Sequence, residues 1–179
     1  MKFFLIYGPP AVGKYTVGAS LAAQTGYKFV HNHVIVDVAR LLFDKKDEHT
    51  RPLIAELKEA LWLDIVGVAA KAGVNNIMTL AYTADESDNF VRRIIKTVTD
   101  NDGEVCLIRL TAPADILYQR VRNESRKQLH KPTDADALRK KIEKGALDKP
   151  IPFAKSFEID TTTHTPQESA AAIIKHFDL

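Results

Sequence analysis

The sequence has little cysteine and no long apolar run. Cys106 is the single cysteine in 179 residues, which excludes an internal disulfide and fits a reducing compartment. No stretch approaches the roughly 20 apolar residues that a membrane span needs. The N-terminal apolar run from Phe3 to Tyr7 is too short for the core of a signal peptide. We therefore expect a cytoplasmic protein with no membrane partner.

The chain also lacks a strong net charge. Its formal net charge is +2, which gives no reason to expect a nucleic-acid partner. The segment from Arg109 to Lys149 is the exception, because it holds 11 Lys and Arg against 6 Asp and Glu. Such a segment suits a bound polyanion, and it equally fits the solvated face of two helices.

Apolar runs alternate with amphipathic stretches along the whole chain. The pattern predicts strands near residues 3–7, 27–30, 77–82, 104–110 and 156–160. It predicts helices near residues 13–24, 32–43, 52–73, 87–100, 113–125, 134–147 and 165–177. This alternation is typical of a parallel sheet covered by helices on both faces. We expect one α/β domain over residues 1–179.

Three of the predicted helices carry an apolar stripe. In the helix near residues 87–100, Phe90, Ile94 and Val98 stand four apart. In the helix after the second strand, the stripe is Val34, Val38 and Leu41. In the helix that begins at Pro52, the stripe is Ile54, Leu57, Leu61, Ile65, Val68 and Ala72. Trp62 lies off that stripe, so we expect it to form either a pocket wall or a dimer contact.

The segment Gly8-Pro9-Pro10-Ala11-Val12-Gly13-Lys14 fits the phosphate-loop pattern G-x-x-x-x-G-K. Backbone N–H groups at the start of a helix have no partner within the helix and bind phosphate. The two glycines allow close approach of the backbone, and Lys14 adds a charge for the β- and γ-phosphates. Tyr15 stands where the pattern usually has Ser or Thr, and Thr16 follows. The predicted nucleotide-binding residues are Gly8, Ala11, Val12, Gly13, Lys14, Tyr15 and Thr16.

With a threonine two places after the lysine, this loop resembles the Gly-x-Pro-x-x-Gly-Lys-x-Thr variant of adenylate-kinase-like small-molecule kinases. Length and element order are similar, over essentially the whole chain, to the group of adenylate, shikimate and gluconate kinases and chloramphenicol phosphotransferase. The resemblance implies a P-loop NTPase fold with a five-stranded parallel sheet of order 2-3-1-4-5. It also implies ATP as phosphoryl donor and Mg²⁺ as metal, with Thr16 either a ligand of the metal or a phosphate contact.

The run from Leu117 to Arg122, followed by Arg126, is similar to the start of the lid in those kinases. The resemblance implies that Arg120 stacks on adenine and that Arg126, in a lid segment near residues 125–133, reaches the transferring phosphoryl group. Phosphoryl transfer needs positive charge around the equatorial oxygens, and a guanidinium supplies it in a planar fork that also stacks on rings. The alternative is that these arginines complement a helix dipole. The backbone of residues 161–164 is the expected adenine-side loop.

His31, His33, Asp37 and Arg40 follow the second strand and are the predicted acceptor-binding residues. In an open α/β sheet, ligands bind at the carboxyl ends of the strands. If Asn32 caps the next helix, His33, Asp37 and Arg40 share one polar stripe. The resemblance implies that Asp37 binds or activates the acceptor hydroxyl. The alternatives are a surface carboxylate paired with Arg40 or His33, and structural roles for the histidines.

These features predict transfer of the γ-phosphoryl group of ATP to a hydroxyl or phosphate of a small-molecule acceptor, by a monomer or homodimer. The predicted catalytic residues are Lys14, Asp37 and Arg126. The alternative is an ATP-binding regulatory or interaction protein without transfer, which Tyr15 and the lack of an Asp at the end of the third strand favour. Lid arginines would have little use in such a protein, and this favours the kinase.

Overall fold

The computed structural model describes residues 1–43, 49–124, 126, 133–145 and 147–179, with the backbone alone at Arg40 and Arg51. Five strands and seven helices lie in this described part of the chain. Their bounds are β1 Lys2–Tyr7, α1 Lys14–Thr25, β2 Lys28–Val30, α2 Asn32–Leu42, α3 Arg51–Lys71, β3 Asn76–Leu80, α4 Asp88–Thr99, β4 Glu104–Thr111, α5 Ala114–Arg120, α6 Ala135–Glu143, β5 Phe157–Asp160 and α7 Pro166–Phe177.

The five strands form one parallel sheet in the order β2-β3-β1-β4-β5. This confirms the predicted fold class and strand order. At the carboxyl end of β1, Tyr7 pairs with Leu80 of β3 and with Arg109 of β4. The segment that follows Tyr7 therefore leaves the sheet at its centre, with two strands on either side. Connections after β2 and β3 reach one flank of this segment, and connections after β4 and β5 reach the other.

The central strand β1 is buried on both faces, and its residues alternate between two cores. Phe3, Leu5 and Tyr7 pack with residues of α2, α3 and α4. Phe4 and Ile6 pack with residues of α1, α5, α6 and α7. Successive side chains of a strand point to opposite faces, so a continuous apolar run is what a sheet covered on both sides requires.

The buried stripe of α2 differs from the predicted one. Ile35 and Ala39 are the buried residues, with 1% and 0% of their surface exposed. Val34, Val38 and Leu41 are exposed instead, at 46%, 44% and 84%. Apolar residues stand on more than one face of this helix, so a period of 3.6 fits either set. Packing against α3 and β3 selects the set that is buried.

The predicted stripe of α3 is also wrong. The buried residues are Trp62, Val66 and Ala70, spaced by four, whereas Val68 is 68% exposed. Trp62 is 1% exposed and its ring centre lies 5.8 Å from that of Phe90, so it is a core residue and cannot be a dimer contact. Its indole Nε1–H donates to Oδ1 of Asn32 at 3.2 Å. Tryptophan combines a large apolar ring with one polar group that needs a partner when buried.

Helix ends account for the remaining differences. His31 occupies the N-cap position of α2, and Asn32, the predicted cap, is the first helical residue. Helix α5 ends at Arg120 rather than near residue 125. Thr165 caps α7, in a capping box with Glu168. Among the helices of the described ranges, none is long and apolar enough to cross a bilayer.

Candidate functional site

The loop between β1 and α1 has backbone angles that its glycines make possible. Gly8 has φ 143° and Gly13 has φ 104°, both in the region that favours glycine. A Cβ atom at position 8 would collide with the carbonyl oxygen of Leu110 on β4. Gly13 stands at the N-cap position of α1, and no side chain caps that helix. The first turn of α1 therefore presents its N–H groups to the space above the loop.

The ammonium group of Lys14 lies over this loop. Its Nζ donates to the carbonyl oxygens of Gly8 at 2.8 Å and Pro9 at 2.7 Å. The Oγ1 of Thr16 donates to the carbonyl oxygen of Gly13 at 2.9 Å. This bond uses the hydroxyl proton and leaves oxygen lone pairs that can accept a hydrogen bond or bind a cation.

A cavity of about 770 Å³ opens along the carboxyl edge of the sheet, with the loop at its centre. The strand order divides its walls into two parts. The wall on the β4 and β5 side, where the sequence predicts the nucleotide, is called the nucleotide half. It is lined by Arg120, Val121, Asn123, Arg126, Asp134, Ala137, Leu138, Lys141, Thr161, His164 and Pro166. The wall on the β2 and β3 side, where the sequence predicts the acceptor, is called the acceptor half. It is lined by Tyr15, His31, Asn32, His33, Val36, Lys58, Thr79 and Ala81.

Arg120 holds the loop that follows β5. Its Nη1 donates to Oγ1 of Thr161 at 2.8 Å, and its Nη2 donates to the carbonyl oxygen of Thr161 at 2.9 Å. The Oγ1 of Thr161 in turn donates to the carbonyl oxygen of Thr111 at 3.2 Å. Guanidinium hydrogen bonds lie in the plane of the group, so the contacts to Thr161 occupy its edge and not its flat faces, which are the part that stacks on rings.

Arg126 is half-buried and lines the nucleotide half. Its backbone N–H donates to the carbonyl oxygen of Asn123 at 3.0 Å, and burial lowers the pKa of its guanidinium below the usual value. Arg122 is exposed and does not line the cavity. The predicted lid segment 125–133, apart from 126 and 133, lies outside the described residues.

Tyr15 contributes its side chain to the acceptor half. Its ring centre lies 5.0 Å from that of His31 and 5.6 Å from that of Phe29 on β2. The His31 ring lies 6.4 Å from that of His33. The sequence pattern placed Tyr15 with the nucleotide-binding residues. Its backbone belongs to that loop, and its ring instead forms a wall shared with the two histidines.

The structure divides the predicted acceptor residues. His31 and His33 line the cavity, whereas Asp37, one turn further along α2, does not. The side chain of Arg40 lies outside the described part of the chain. Lys58 of α3 lines the acceptor half, and sequence reasoning missed it. The available signal was its position one turn before Trp62, which shares its helix face once Trp62 is recognised as a core residue.

The charged side chains that line the cavity are mostly basic. They are Lys14, Lys58, Arg120, Arg126 and Lys141, and among the described lining residues the one carboxylate is Asp134. That carboxylate caps α6, because its Oδ1 accepts from the N–H groups of Asp136 at 2.9 Å and Ala137 at 3.0 Å. Within the described ranges, no three His, Cys, Asp or Glu side chains are grouped to hold a metal ion. The cavity therefore suits a polyanion.

No protein-family model and no curated protein matches the sequence. Solved structures do match it. A candidate kinase from Chloroflexus aurantiacus is 18% identical with a TM-score of 0.73, and the match covers 99% of this chain and 96% of that one. A sugar kinase from Janibacter is 17% identical with a TM-score of 0.67 over 99% and 95% of the two chains. A gluconokinase from Sinorhizobium meliloti is 12% identical with a TM-score of 0.61 over 98% and 92%. The chain has the fold of P-loop small-molecule kinases.

Proposed function

We propose that this protein is an ATP-dependent phosphotransferase that moves the γ-phosphoryl group to a small-molecule acceptor. The observation that carries the proposal is the position of Lys14 and its loop at the centre of a two-sided cavity with basic walls. A phosphate site between two separate ligand spaces is what transfer between a donor and an acceptor needs. The kinases with the same fold support the same reaction class.

The nucleotide half receives ATP in this proposal. The backbone N–H groups of residues 11–16 bind the phosphates, and Lys14 leaves its loop carbonyls to contact the β- and γ-phosphates. Arg120 stacks on adenine with a flat face while its edge keeps the contacts to Thr161. Arg126 neutralises charge that develops on the transferring group. The residues present fit a nucleotide, because the glycines of the loop leave space for the phosphates and the cationic side chains balance the negative charge of the phosphates.

The fit to Mg²⁺ rests on Thr16. Its exposed hydroxyl keeps free lone pairs beside the phosphate loop, and oxygen is the ligand that Mg²⁺ prefers. Bound there, the ion would neutralise phosphate charge, and it would take its other ligands from the nucleotide and from water.

Nucleotide binding is tested by isothermal titration with ADP and ATP in the presence of Mg²⁺. We expect Lys14→Ala to bind ATP at least about tenfold more weakly than the wild type, since the loss of one charged hydrogen-bond donor is worth about 1.5–3 kcal/mol. Lys71→Ala, at an exposed end of α3, is the matched control and should bind as the wild type does. Equal affinity of Lys14→Ala and the control would contradict the assignment of the loop.

Transfer itself is tested by ADP release with a panel of acceptors that includes gluconate, shikimate and AMP. The proposal expects release that depends on one acceptor and on Lys14. An ATP-binding protein without transfer would bind nucleotide and show no acceptor-dependent release. The role of Asp37 in orienting the acceptor stays a prediction, which Asp37→Asn tests. A fall in turnover with unchanged nucleotide affinity would support that role, and unchanged turnover would remove it.

A further inference from the structure

The acceptor half of the cavity has a chemical bias of its own. Its ionisable side chains are Lys58, His31, His33 and the Tyr15 phenol, and among the described residues that line it there is no carboxylate. A wall of this composition attracts an anion and gives no counter-charge to a cation. A neutral substrate with many hydroxyl groups needs protein atoms that accept hydrogen bonds from those hydroxyls. An ammonium group such as that of Lys58 only donates hydrogen bonds.

Contacts of Trp62 and Asn32 set the relative position of α3, which carries Lys58, and the start of α2, which carries the histidines. Trp62 lies one turn after Lys58 on the same face of α3, and its Nε1–H donates to Oδ1 of Asn32, which stands between His31 and His33. The backbone N–H of Asn32 donates to Oγ1 of Thr79 at 3.1 Å. Helix α3, the start of α2 and the end of β3 are therefore tied together where Lys58 and the two imidazoles enter the cavity.

We propose that the phosphoryl acceptor carries an oxyanion, a carboxylate or a phosphate, which binds between Lys58 and the imidazoles of His31 and His33. This inference rests on the proposed function, because it assumes that the acceptor enters this half. The Tyr15 ring, 5.0 Å from His31, stands beside Lys14 in the chain and forms the wall between the anion and the phosphate loop. The anion anchors the acceptor by its non-reacting end, and the reacting group faces the loop.

The test compares two aldehyde reagents, pyridoxal phosphate and pyridoxal, which differ in an anionic group. Each condenses with a lysine amine, water leaves, and borohydride reduces the imine to a stable adduct that mass spectrometry locates. The full chain is labelled in saturating AMP-PNP and Mg²⁺, which cover Lys14. At each lysine, the labelling rate with pyridoxal phosphate is divided by the rate with pyridoxal. The intrinsic reactivity of that amine affects both rates equally and therefore cancels in the ratio. Lys71, exposed on the same helix, is the internal reference.

We expect pyridoxal phosphate to label Lys58 at least about tenfold faster than pyridoxal does, with no such preference at Lys71, since charge-assisted contacts strengthen binding of the reagent. His33→Gln should lower the ratio at Lys58. His49 is exposed and does not line the cavity, so His49→Gln is the control and should leave the ratio unchanged. Protection of Lys58 by inorganic phosphate, by gluconate or by both identifies the anion class, with glucose as the neutral control. Equal ratios at Lys58 and Lys71, or protection by glucose as strong as by either anion, would overturn the proposal.

The outcome is distinguishable from failure of the proposed function. If the loop does not bind ATP, AMP-PNP will leave Lys14 open to labelling, and that is measured in the same experiment. The ratio of labelling rates at Lys58 is measured independently of Lys14 and reports only on the proposed anion site. Variants Lys58→Met and Lys58→Arg provide a second measurement by titration of inorganic phosphate into the AMP-PNP complex. Loss of binding in Lys58→Met with retention in Lys58→Arg supports the anion site, and unchanged binding in both contradicts it.

Discussion

The Phe29 ring of β2 lies in a notch that Gly18 leaves in α1. A Cβ atom at position 18 would stand 2.6 Å from the nearest ring carbon of Phe29, well inside van der Waals contact. The same ring lies 5.6 Å from Tyr15 and 5.9 Å from His31, centre to centre. A glycine in a helix interior thus sets the position of the aromatic wall of the acceptor half.

Substitution Gly18→Ala should therefore displace Phe29 and lower the free energy of unfolding by about 1–2 kcal/mol, since overpacking a filled site costs 1–3 kcal/mol and alanine favours the helix by up to 1. The measurement is urea unfolding. Gly67→Ala in α3 is the matched control, because its Cβ would meet Thr97 at 3.5 Å, an ordinary contact. That variant should be unchanged or slightly more stable. Equal stability of the two variants would show that Phe29 moves without cost.

Arg120→Lys should weaken nucleotide binding through the base and not through the phosphates. Lysine cannot make the planar fork to Thr161, and it stacks on a ring less well than a guanidinium. We expect the affinity for ADP to fall about tenfold, which corresponds to 1.4 kcal/mol. The affinity for inorganic pyrophosphate, which has no base, should not change. Arg122→Lys makes the same replacement at an exposed position that does not line the cavity, and it is the control. An equal loss for both ligands would place Arg120 at the phosphates.

The sheet could be predicted from sequence because the central strand β1 holds an uninterrupted apolar run from Phe3 to Tyr7, and a glycine follows each of the helices that precede β2, β3 and β4, at Gly26, Gly73 and Gly103. The stripe of α4 could also be predicted, since Phe90, Ile94 and Val98 recur every four residues and all three are buried. The buried faces of helices α2 and α3 could not be predicted in this way. Both helices carry apolar residues on several faces, and the period of 3.6 cannot decide which face is buried. Only the neighbouring elements decide that.

The candidate site shows the same division. The phosphate loop was predictable because its residues are contiguous and each has a local reason to be there. The position of Lys58 in the cavity could not be predicted, because it depends on which face of α3 packs against the sheet. The sequence pattern predicted the wrong face. The ring of Tyr15 was assigned to the nucleotide through its place in the loop, whereas its contacts are to Phe29 on β2 and to His31, the residue that follows β2. Long-range packing of this kind leaves no local pattern.

Gly8→Ala should destabilise the protein through the contact between the loop and β4. The new Cβ would meet the carbonyl oxygen of Leu110, which is backbone and cannot rotate away. Strained backbone angles alone cost about 1–3 kcal/mol. Gly73→Ala is the matched control, because φ is 66° there and a Cβ would meet nothing within 4 Å. We expect urea unfolding to show a larger loss for Gly8→Ala, by at least about 1 kcal/mol, together with loss of ATP binding. Equal losses would mean that the loop can move away from β4.

Cys106 should make the stability of the protein fall at high pH. The thiol is 1% exposed, and burial raises its pKa from 9.0 to about 12, with the charge of Glu104 as a smaller cause. The unfolded chain ionises its thiol above pH 9 while the folded chain keeps it neutral, so the stabilising contribution is complete below pH 9 and is lost between pH 9 and 12. At pH 10 the loss should be roughly 1.4 kcal/mol, since one pKa unit is worth 1.36 kcal/mol.

The measurement is urea unfolding of the wild type and Cys106→Ala at about pH 8 and pH 10. Tyrosines and lysines titrate in both proteins, so the difference between the two pH dependences isolates the thiol. If the two proteins lose the same stability between these pH values, the thiol ionises as easily in the folded chain as in the unfolded one.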